Sequence, residues 1–196
     1  MICPQNKNLE IRESISKGIY INRLSEQNVS KAEEVLSYMV QGDEVRNIAE
    51  TKLNEASSRS HTVFRITLQS HTKDDLTKKI KFSQLNLVDL AGSEGVSKTH
   101  TDGLRLREGS NINRSLLALS NVINKLSLAT GKSFINYRDS KITRILQNAL
   151  GGNSKTAIIC TMTQTLSNYQ ETVNTLHFGQ KAKHVKTKVN VNEITQ

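Results

Sequence analysis

Two short polar segments contain the residue types from which a phosphate or metal site could be built. The first, residues 86–95 (NLVDLAGSEG), is an apolar run that ends in Asp89 and continues into a turn of small residues with Gly92. A strand that ends in this way places a carboxylate and accessible backbone N–H groups at the sheet edge where α/β proteins bind ligands. A phosphate can approach the N–H of Gly92 because glycine has no side chain in the way. Taken alone, a strand-terminal aspartate more often caps the following turn.

The second segment, residues 54–61 (NEASSRSH), collects three serine hydroxyls, a guanidinium and an imidazole directly before a predicted strand. Serine hydroxyls suit Mg²⁺ and phosphate oxygens. Arg59 could form a bidentate ion pair with a carboxylate such as Glu94. A serine-rich turn that caps a helix would explain any one of these residues. Such a turn does not explain the whole of residues 54–61 together with residues 86–95. The two segments together therefore favour a nucleotide site.

The usual companion of such a site is a phosphate-binding loop of the form G-x-x-x-x-G-K-[ST] after a strand. The sequence GKS occurs at residues 131–133, but the earlier glycine that the loop requires falls on Leu126. The run also follows a helical pattern, not a strand. We interpret it as an ordinary loop, and the predicted phosphate site therefore lacks one of its usual parts within this sequence.

Hydrophobic periodicity predicts an α/β fold in which short strands alternate with longer helices. Strands are predicted at residues 9–13, 18–22, 61–70 and 80–90, and a short apolar run predicts a buried strand at residues 156–162 (TAIICTM). Capping boxes at residues 30–33 and 167–170 predict the starts of two helices, the second ending near Val185. Apolar residues spaced 4-3-4-3 from Ile112 to Leu126 predict a long helix packed on a core. Asp139 is predicted to cap a further helix that ends at Gly151.

Charge and composition restrict the possible partners. The 196 residues include 27 Lys and Arg against 18 Asp and Glu, a net charge of +9. Such an excess favours an acidic partner, namely nucleic acid, an anionic membrane or an acidic protein surface, although an inert basic surface is the simpler alternative. Aromatic residues make up only 4%, without tryptophan, which argues against stacking platforms for single-stranded nucleic acid.

Two cysteines are too few for a disulfide framework or a zinc site. No apolar run approaches the ~18 residues of a membrane span. The first ten residues also lack the pattern of a secretory signal, so a cytosolic location is expected.

Five segments resemble the motor domain of kinesins, in the order found in that family. Residues 54–61 resemble switch I and residues 88–94 (VDLAGSE) resemble switch II. Residues 111–126 resemble the long helix after switch II, residues 137–156 the loop and helix that face the microtubule, and residues 171–186 the last motor helix. The resemblance covers nearly the whole chain.

The resemblance implies ATP and Mg²⁺ as cofactors and assigns roles to residues that match the family motifs. Ser58 would help coordinate Mg²⁺, Ser57 would lie near the γ-phosphate and the attacking water, and Asp89 would hold Mg²⁺ through water. Gly92 would sense the γ-phosphate, the ion pair of Arg59 with Glu94 would close the two switches, and Asn113 would support them. Where the family usually has arginine after DLAGSE, this chain has Gly95, next to that ion pair.

The resemblance also implies a microtubule as partner, and not nucleic acid or a membrane. The cationic and aromatic residues that match or lie in tubulin-facing segments are Lys98, Arg105, Arg107, Tyr137, Arg138, Lys141 and Arg144. Because the surface of tubulin is acidic, these side chains should speed the encounter and make binding depend on salt. Any single one of them could equally be a solvated surface charge.

The expected architecture is a partial P-loop NTPase-type kinesin fold over residues 1–186, with a central mixed sheet flanked by helices but without the N-terminal strands and the P-loop. Residues 187–196 resemble the start of a neck linker, which implies plus-end movement and a parent dimer formed through a downstream coiled coil. The parent would be an ATP-driven motor on microtubules in the cytoplasm. The isolated chain is expected to bind ATP weakly or not at all and to be marginally stable. Two alternatives are a microtubule-binding module indifferent to nucleotide and, from charge alone, a nucleic-acid binder.

Overall fold

The computed structural model describes residues 8–15, 18–51, 60–71, 79–92, 104–128 and 134–195. The strands are β1 (Ile11–Ser14), β2 (Gly18–Ile21), β3 (Thr62–His71), β4 (Lys79–Asp89) and β5 (Asn192–Thr195). The helices are α1 (Ala32–Thr51), α2 (Leu104–Leu128), α3 (Lys141–Ile145), α4 (Gln147–Gly151) and α5 (Tyr169–Lys183), with 3₁₀ turns at Tyr137–Asp139 and Leu166–Asn168. Among these, no helix combines the length and the apolar character that crossing a membrane requires.

The described strands form two antiparallel sheets. β1 and β2 make a hairpin, and β3, β4 and β5 make a three-stranded sheet with β4 in the middle. The four alternating segments are therefore strands, as the sequence predicts. The tail is extended, because Asn192–Thr195 pairs with the first residues of β4. Asn153 fixes this tail by donating from Nδ2 to Asn192 Oδ1 at 2.8 Å and accepting from the N–H of Asn190 at 2.6 Å.

The core lies between α2 and the two short helices α3 and α4. Its buried members are Leu119, Val122, Ile123, Ile142, Leu146 and Leu150. The 4-3-4-3 spacing puts one apolar stripe on α2, and the two most deeply buried residues of that stripe, Leu119 and Ile123, are 5% and 2% exposed. Val63 at the start of β3 packs against the same cluster. The core thus joins the beginning of β3 to α2 and to α3.

The start of α3 differs from the prediction. Ser140, not Asp139, is the N-cap, because its Oγ accepts a hydrogen bond from the N–H of Ile142 at 3.3 Å. Asp139 belongs to the preceding 3₁₀ turn, where its carboxylate accepts from Asn136 Nδ2 at 2.6 Å. The interpretation of Asp139 as the cap was therefore wrong by one position.

The predicted buried strand at residues 156–162 is not formed. No described strand pairs with this segment, and Ile159 is 90% exposed. Its β-branched, apolar composition favours a strand, but a strand also needs a neighbour that accepts and donates its backbone hydrogen bonds. Within the described residues no such neighbour lies beside it.

Neither capping box closes as predicted. The N–H of Ser30 donates to the carboxylate of Glu34 at 2.8 Å, so the acidic partner is one residue later than Glu33. At the second helix the N-cap position is Asn168, without a side-chain cap, and Gln170 bonds Asn174 instead. A short 3₁₀ turn before α5 moves the helix start past Ser167, which explains the difference.

Replacing Thr143 by valine should lower the free energy of unfolding by about 1–3 kcal/mol. Thr143 is fully buried, and its Oγ1 lies within hydrogen-bond distance of the carbonyls of Tyr137 (2.7 Å) and Ser140 (2.9 Å). Valine keeps the shape but leaves both carbonyls without this donor. Urea denaturation checks the shift against Thr161→Val, a control at an exposed threonine. Equal midpoints for the two variants would mean that this hydroxyl does not stabilise the turn.

Candidate functional site

The antiparallel pairing of β3 with β4 brings the described ends of the two chemically suggestive segments together. In the register of the hairpin, Thr62 at the start of β3 is opposite Asp89 at the end of β4. The residues that precede β3 therefore lie beside the residues that follow β4. His61, the last residue of the second segment, is therefore close to Ala91 of the first, 30 positions away in sequence.

His61 connects this junction to helix α2. The backbone N–H of Ala91 donates to His61 Nδ1 at 3.0 Å, and His61 Nε2 is 2.5 Å from Ser115 Oγ. Ser115 Oγ in turn donates to the carbonyl of Ile112 at 2.7 Å. Ala91 is buried, so its N–H needs a partner within the protein, and the imidazole provides one.

These bonds define the protonation state of the imidazole. Nδ1 accepts from Ala91 and so carries no proton, and the Ser115 hydroxyl is already a donor to Ile112. Nε2 must therefore be the protonated nitrogen that donates to Ser115. Burial lowers the pKa of His61 below its ordinary value, partly opposed by the nearby carboxylate of Asp89, which agrees with a neutral ring.

The structure describes three of the predicted switch residues, namely Asp89, Gly92 and Asn113. Asp89 is at the end of β4 with an exposed side chain, and Gly92 follows in the turn, half buried. Asn113 is half buried on α2, two residues before Ser115. The remaining predicted positions of this group, Ser57, Ser58, Arg59 and Glu94, lie outside the described residues.

The described donor set fits a Mg²⁺ ion that keeps most of its water. No cluster of three or more His, Cys, Asp or Glu that could hold a metal occurs in the described part of the chain. Mg²⁺ in nucleotide sites is typically held by one or two protein oxygens together with water and substrate phosphates. Asp89, a carboxylate at the end of a strand, can supply one such protein oxygen.

A second feature is a cationic face formed by Arg12, Arg138, Lys141 and Arg144. An open groove of about 780 Å³ lies between the β1–β2 hairpin and α3, and Arg12, Arg138 and Arg144 line it. An adjoining groove of about 380 Å³ adds Lys141. Among the described residues, two carboxylates line these grooves: Glu10, which pairs with Arg12 at 2.9 Å, and Glu13, which pairs with Arg138 at 3.7 Å. The face therefore keeps a net positive charge.

The core holds the cationic face in place. Arg138 is in the 3₁₀ turn, while Lys141 and Arg144 are on α3, the same helix that buries Ile142 and Thr143. Partial burial raises the pKa of the Tyr137 phenol above its ordinary value, and the neutral ring packs against the core cluster. Arg105 and Arg107 are in the first turn of α2, where the structure describes only their backbone, and Lys98 lies outside the described residues.

Sequence reasoning missed three participants. Local sequence patterns identify His61 only as an imidazole within the second segment, and they do not identify Ser115. Their link requires a contact across 54 positions that no local pattern encodes. Arg12 was assigned only to a strand, and only the packing of β1 on α3 shows that it joins Arg138.

Comparison with known proteins defines the family. The family model described as the kinesin motor domain matches residues 2–185. The chain is 48% identical over 188 residues to kinesin-related protein 4 of Dictyostelium discoideum, covering 96% of this chain and 10% of that protein. It is also 48% identical over 192 residues to human centromere-associated protein E, covering 96% of this chain and 7% of that protein. The chain therefore belongs to the kinesin motor domain family.

Solved structures give the same result for the fold. A fast kinesin, described for its ATPase mechanism and its interactions with microtubules, matches with a TM-score of 0.87 and 45% identity over 98% of this chain and 54% of that chain. The KIF14 dimer in a two-heads-bound state, with AMP-PNP and in complex with a microtubule, matches with a TM-score of 0.83 and 39% identity over 94% of this chain and 52% of that chain. The α/β kinesin fold is confirmed, and the chain spans about half the length of these solved chains.

Proposed function

We propose that this chain provides the nucleotide-sensing switches and the microtubule-binding face of an ATP-driven kinesin motor. The observation that supports this most is the convergence of the β3 start and the β4 end at one junction, which is hydrogen-bonded to α2. The other half of α2 packs against the helix that carries Lys141 and Arg144. One continuous core thus lies between a phosphate-facing turn and a cationic face.

Each described residue has a defined task in this proposal. Asp89 would hold Mg²⁺ through water, and the N–H of Gly92 would meet the terminal phosphate of ATP, as the family resemblance implies. Mg²⁺-bound ATP would supply the phosphoryl group whose transfer to water drives movement. Ser58 and Ser57 would complete the metal and water contacts, Arg59 with Glu94 would close the two switches, and Asn113 would support them. The parts of a phosphate cradle absent from this sequence would come from the rest of a motor domain.

The cationic face fits the acidic surface of tubulin. Arg12, Arg138, Lys141 and Arg144 lie along one pair of grooves and outnumber the carboxylates beside them. The similarity of this chain to a kinesin whose structure was determined in complex with a microtubule supports this partner over nucleic acid or a membrane. We extend the proposal to a cytoplasmic protein that dimerises through a coiled coil and whose residues 187–196 act as the start of a neck linker.

The proposal is tested with a grafted motor, in which this chain replaces the matched segment of the solved fast kinesin. The grafted motor should hydrolyse ATP faster when microtubules are added, whereas the chain alone should bind microtubules weakly and without regard to ATP. Binding of both should weaken as salt rises, because the cationic face attracts an acidic partner. A grafted motor without microtubule-stimulated ATPase would contradict the proposal. A microtubule-binding module would instead bind equally in all nucleotide states.

Replacing Glu13 by glutamine should strengthen microtubule binding of the grafted motor by about two- to fivefold. The change removes the carboxylate that competes for Arg138 at 3.7 Å and makes the face more positive. Co-sedimentation at low salt measures the affinity, with Glu33→Gln on the exposed first turn of α1 as the matched control. If the Glu13 variant binds no more tightly than the Glu33 control, this hairpin does not face the microtubule.

A further inference from the structure

We propose that His61 is a positioning residue that couples the phosphate-facing turn to helix α2 through its two ring nitrogens. The proposal rests on the proposed motor function and adds a residue that links nucleotide sensing to the microtubule face. Its basis is a continuous set of three hydrogen bonds from the N–H of Ala91 through His61 and Ser115 to the carbonyl of Ile112.

The geometry requires a neutral ring with its proton on one defined nitrogen. Nδ1 accepts from a buried backbone N–H located between Asp89 and Gly92, the two residues expected to meet the metal and the phosphate. Nε2 donates to a hydroxyl on α2. A change in the position of the Ala91 backbone therefore moves the imidazole, and the imidazole moves the hydroxyl.

Helix α2 is suited to pass such a shift onward. Beyond Ser115 it contributes Leu119, Val122 and Ile123 to the cluster that also contains Ile142 and Leu146 of α3. Close-packed cores respond to a shift by repacking between discrete arrangements, because they do not deform continuously. The cationic residues of α3 are attached to this cluster, so the imidazole lies on a physical route from the turn to the cationic face.

The proposal requires both nitrogens, which separates it from a purely local role. If His61 only satisfied the Ala91 N–H, the bond from Nε2 to Ser115 could be lost without effect. Asparagine at position 61 places its amide oxygen near the site of Nδ1 and cannot reach Ser115. Glutamine places its amide near the site of Nε2 and leaves the Ala91 N–H without its acceptor. Ser115→Ala removes the hydroxyl, and Ser115→Thr keeps it.

The decisive experiment measures how strongly nucleotide changes microtubule affinity in the grafted motor. The ratio of the dissociation constants in ADP and in AMP-PNP gives the coupling, and the KM for ATP and the microtubule-stimulated kcat are measured in parallel. His61→Asn, His61→Gln and Ser115→Ala should each reduce that ratio by about tenfold, within the usual range of allosteric coupling. They should lower kcat more than they raise the KM for ATP. Ser115→Thr and the control His177→Asn, at an exposed histidine of α5, should keep the original ratio.

Two results would overturn the proposal while leaving the motor function intact. In the first, His61→Asn and Ser115→Ala keep the ratio of dissociation constants of the unmodified motor, and only His61→Gln reduces it. This would mean that His61 only satisfies the Ala91 N–H. The second is a proton on Nδ1, observed by ¹⁵N NMR of the labelled imidazole. The signal of His61 is assigned by its loss in His61→Asn. If the unmodified grafted motor has no nucleotide-dependent binding, the proposed function fails and this inference fails with it.

Discussion

Replacing Asp89 by asparagine in the grafted motor should lower the microtubule-stimulated ATPase about 10- to 100-fold, the usual cost of disturbing a group that orients metal-bound water. Asp89 is the last residue of β4 and pairs with Thr62, the first residue of β3. It therefore lies at the junction where β3 begins and β4 ends. Asparagine retains the size and most hydrogen-bonding ability of the side chain but loses the negative charge. A Mg²⁺ ion held through water depends on that charge.

The measurement is the steady-state ATPase rate over a range of microtubule concentrations, with Asp43→Asn as the control. Asp43 is an exposed aspartate on α1 and undergoes the same chemical change away from the junction. Microtubule affinity without nucleotide should be unchanged in both variants, because neither residue belongs to the cationic face. An ATPase rate of Asp89→Asn within about threefold of the original, a free-energy difference below 1 kcal/mol, would remove Asp89 from the metal site.

Reversing the charge of Arg138, Lys141 and Arg144 to glutamate should weaken microtubule binding about 100-fold or more, because like charges brought together across an interface cost several kcal/mol. All three side chains line the grooves beside the β1–β2 hairpin. None of them belongs to the buried core cluster, so the fold should tolerate the changes better than it would a core substitution. The salt dependence of binding should also become shallower.

The matched control changes the same number of charges elsewhere. Lys155, Lys181 and Lys188 are exposed, and none of them lines either groove. Reversing these three alters the net charge equally, so any general electrostatic attraction to tubulin falls by the same amount in both triple variants. If both variants bind equally weakly, the attraction is diffuse and the proposed face is not a binding site.

The long, strongly periodic elements could be predicted because their patterns are local. The apolar stripe from Ile112 to Leu126 defines α2, and alternation along residues 61–70 and 80–90 defines β3 and β4. Helix starts were less accurate, because the serine, aspartate and glutamate that can cap a helix often occur at neighbouring positions. Ser140 took the role expected of Asp139, and Glu34 that of Glu33.

The segment at residues 156–162 shows a different limit. Its apolar, β-branched composition favours a strand, whereas strand formation depends on which neighbours lie beside it. Ile159 is 90% exposed here, and this chain covers 54% of the solved fast kinesin chain. Within the described residues no strand lies beside this segment, so its composition alone mispredicts a strand.

The site was predictable only in part. The motifs around Asp89 and Gly92 predict a phosphate-facing turn, and the resemblance predicts that Arg138, Lys141 and Arg144 face tubulin; both stay predictions. The roles of His61, Ser115 and Arg12 come from tertiary contacts between elements far apart in sequence. A histidine before a strand and a serine in a helix have many structural explanations, so sequence alone does not distinguish the pair from ordinary polar residues.

If this chain joins nucleotide sensing to microtubule binding, a motor that contains it should be released from microtubules by nucleotide. The grafted motor is sedimented with microtubules in the presence of AMP-PNP and then challenged with ATP or ADP. We expect strong binding with AMP-PNP and release by ATP or ADP, with dissociation constants that differ about tenfold or more. Equal binding in all nucleotide states, at a salt concentration where binding is measurable, would contradict it.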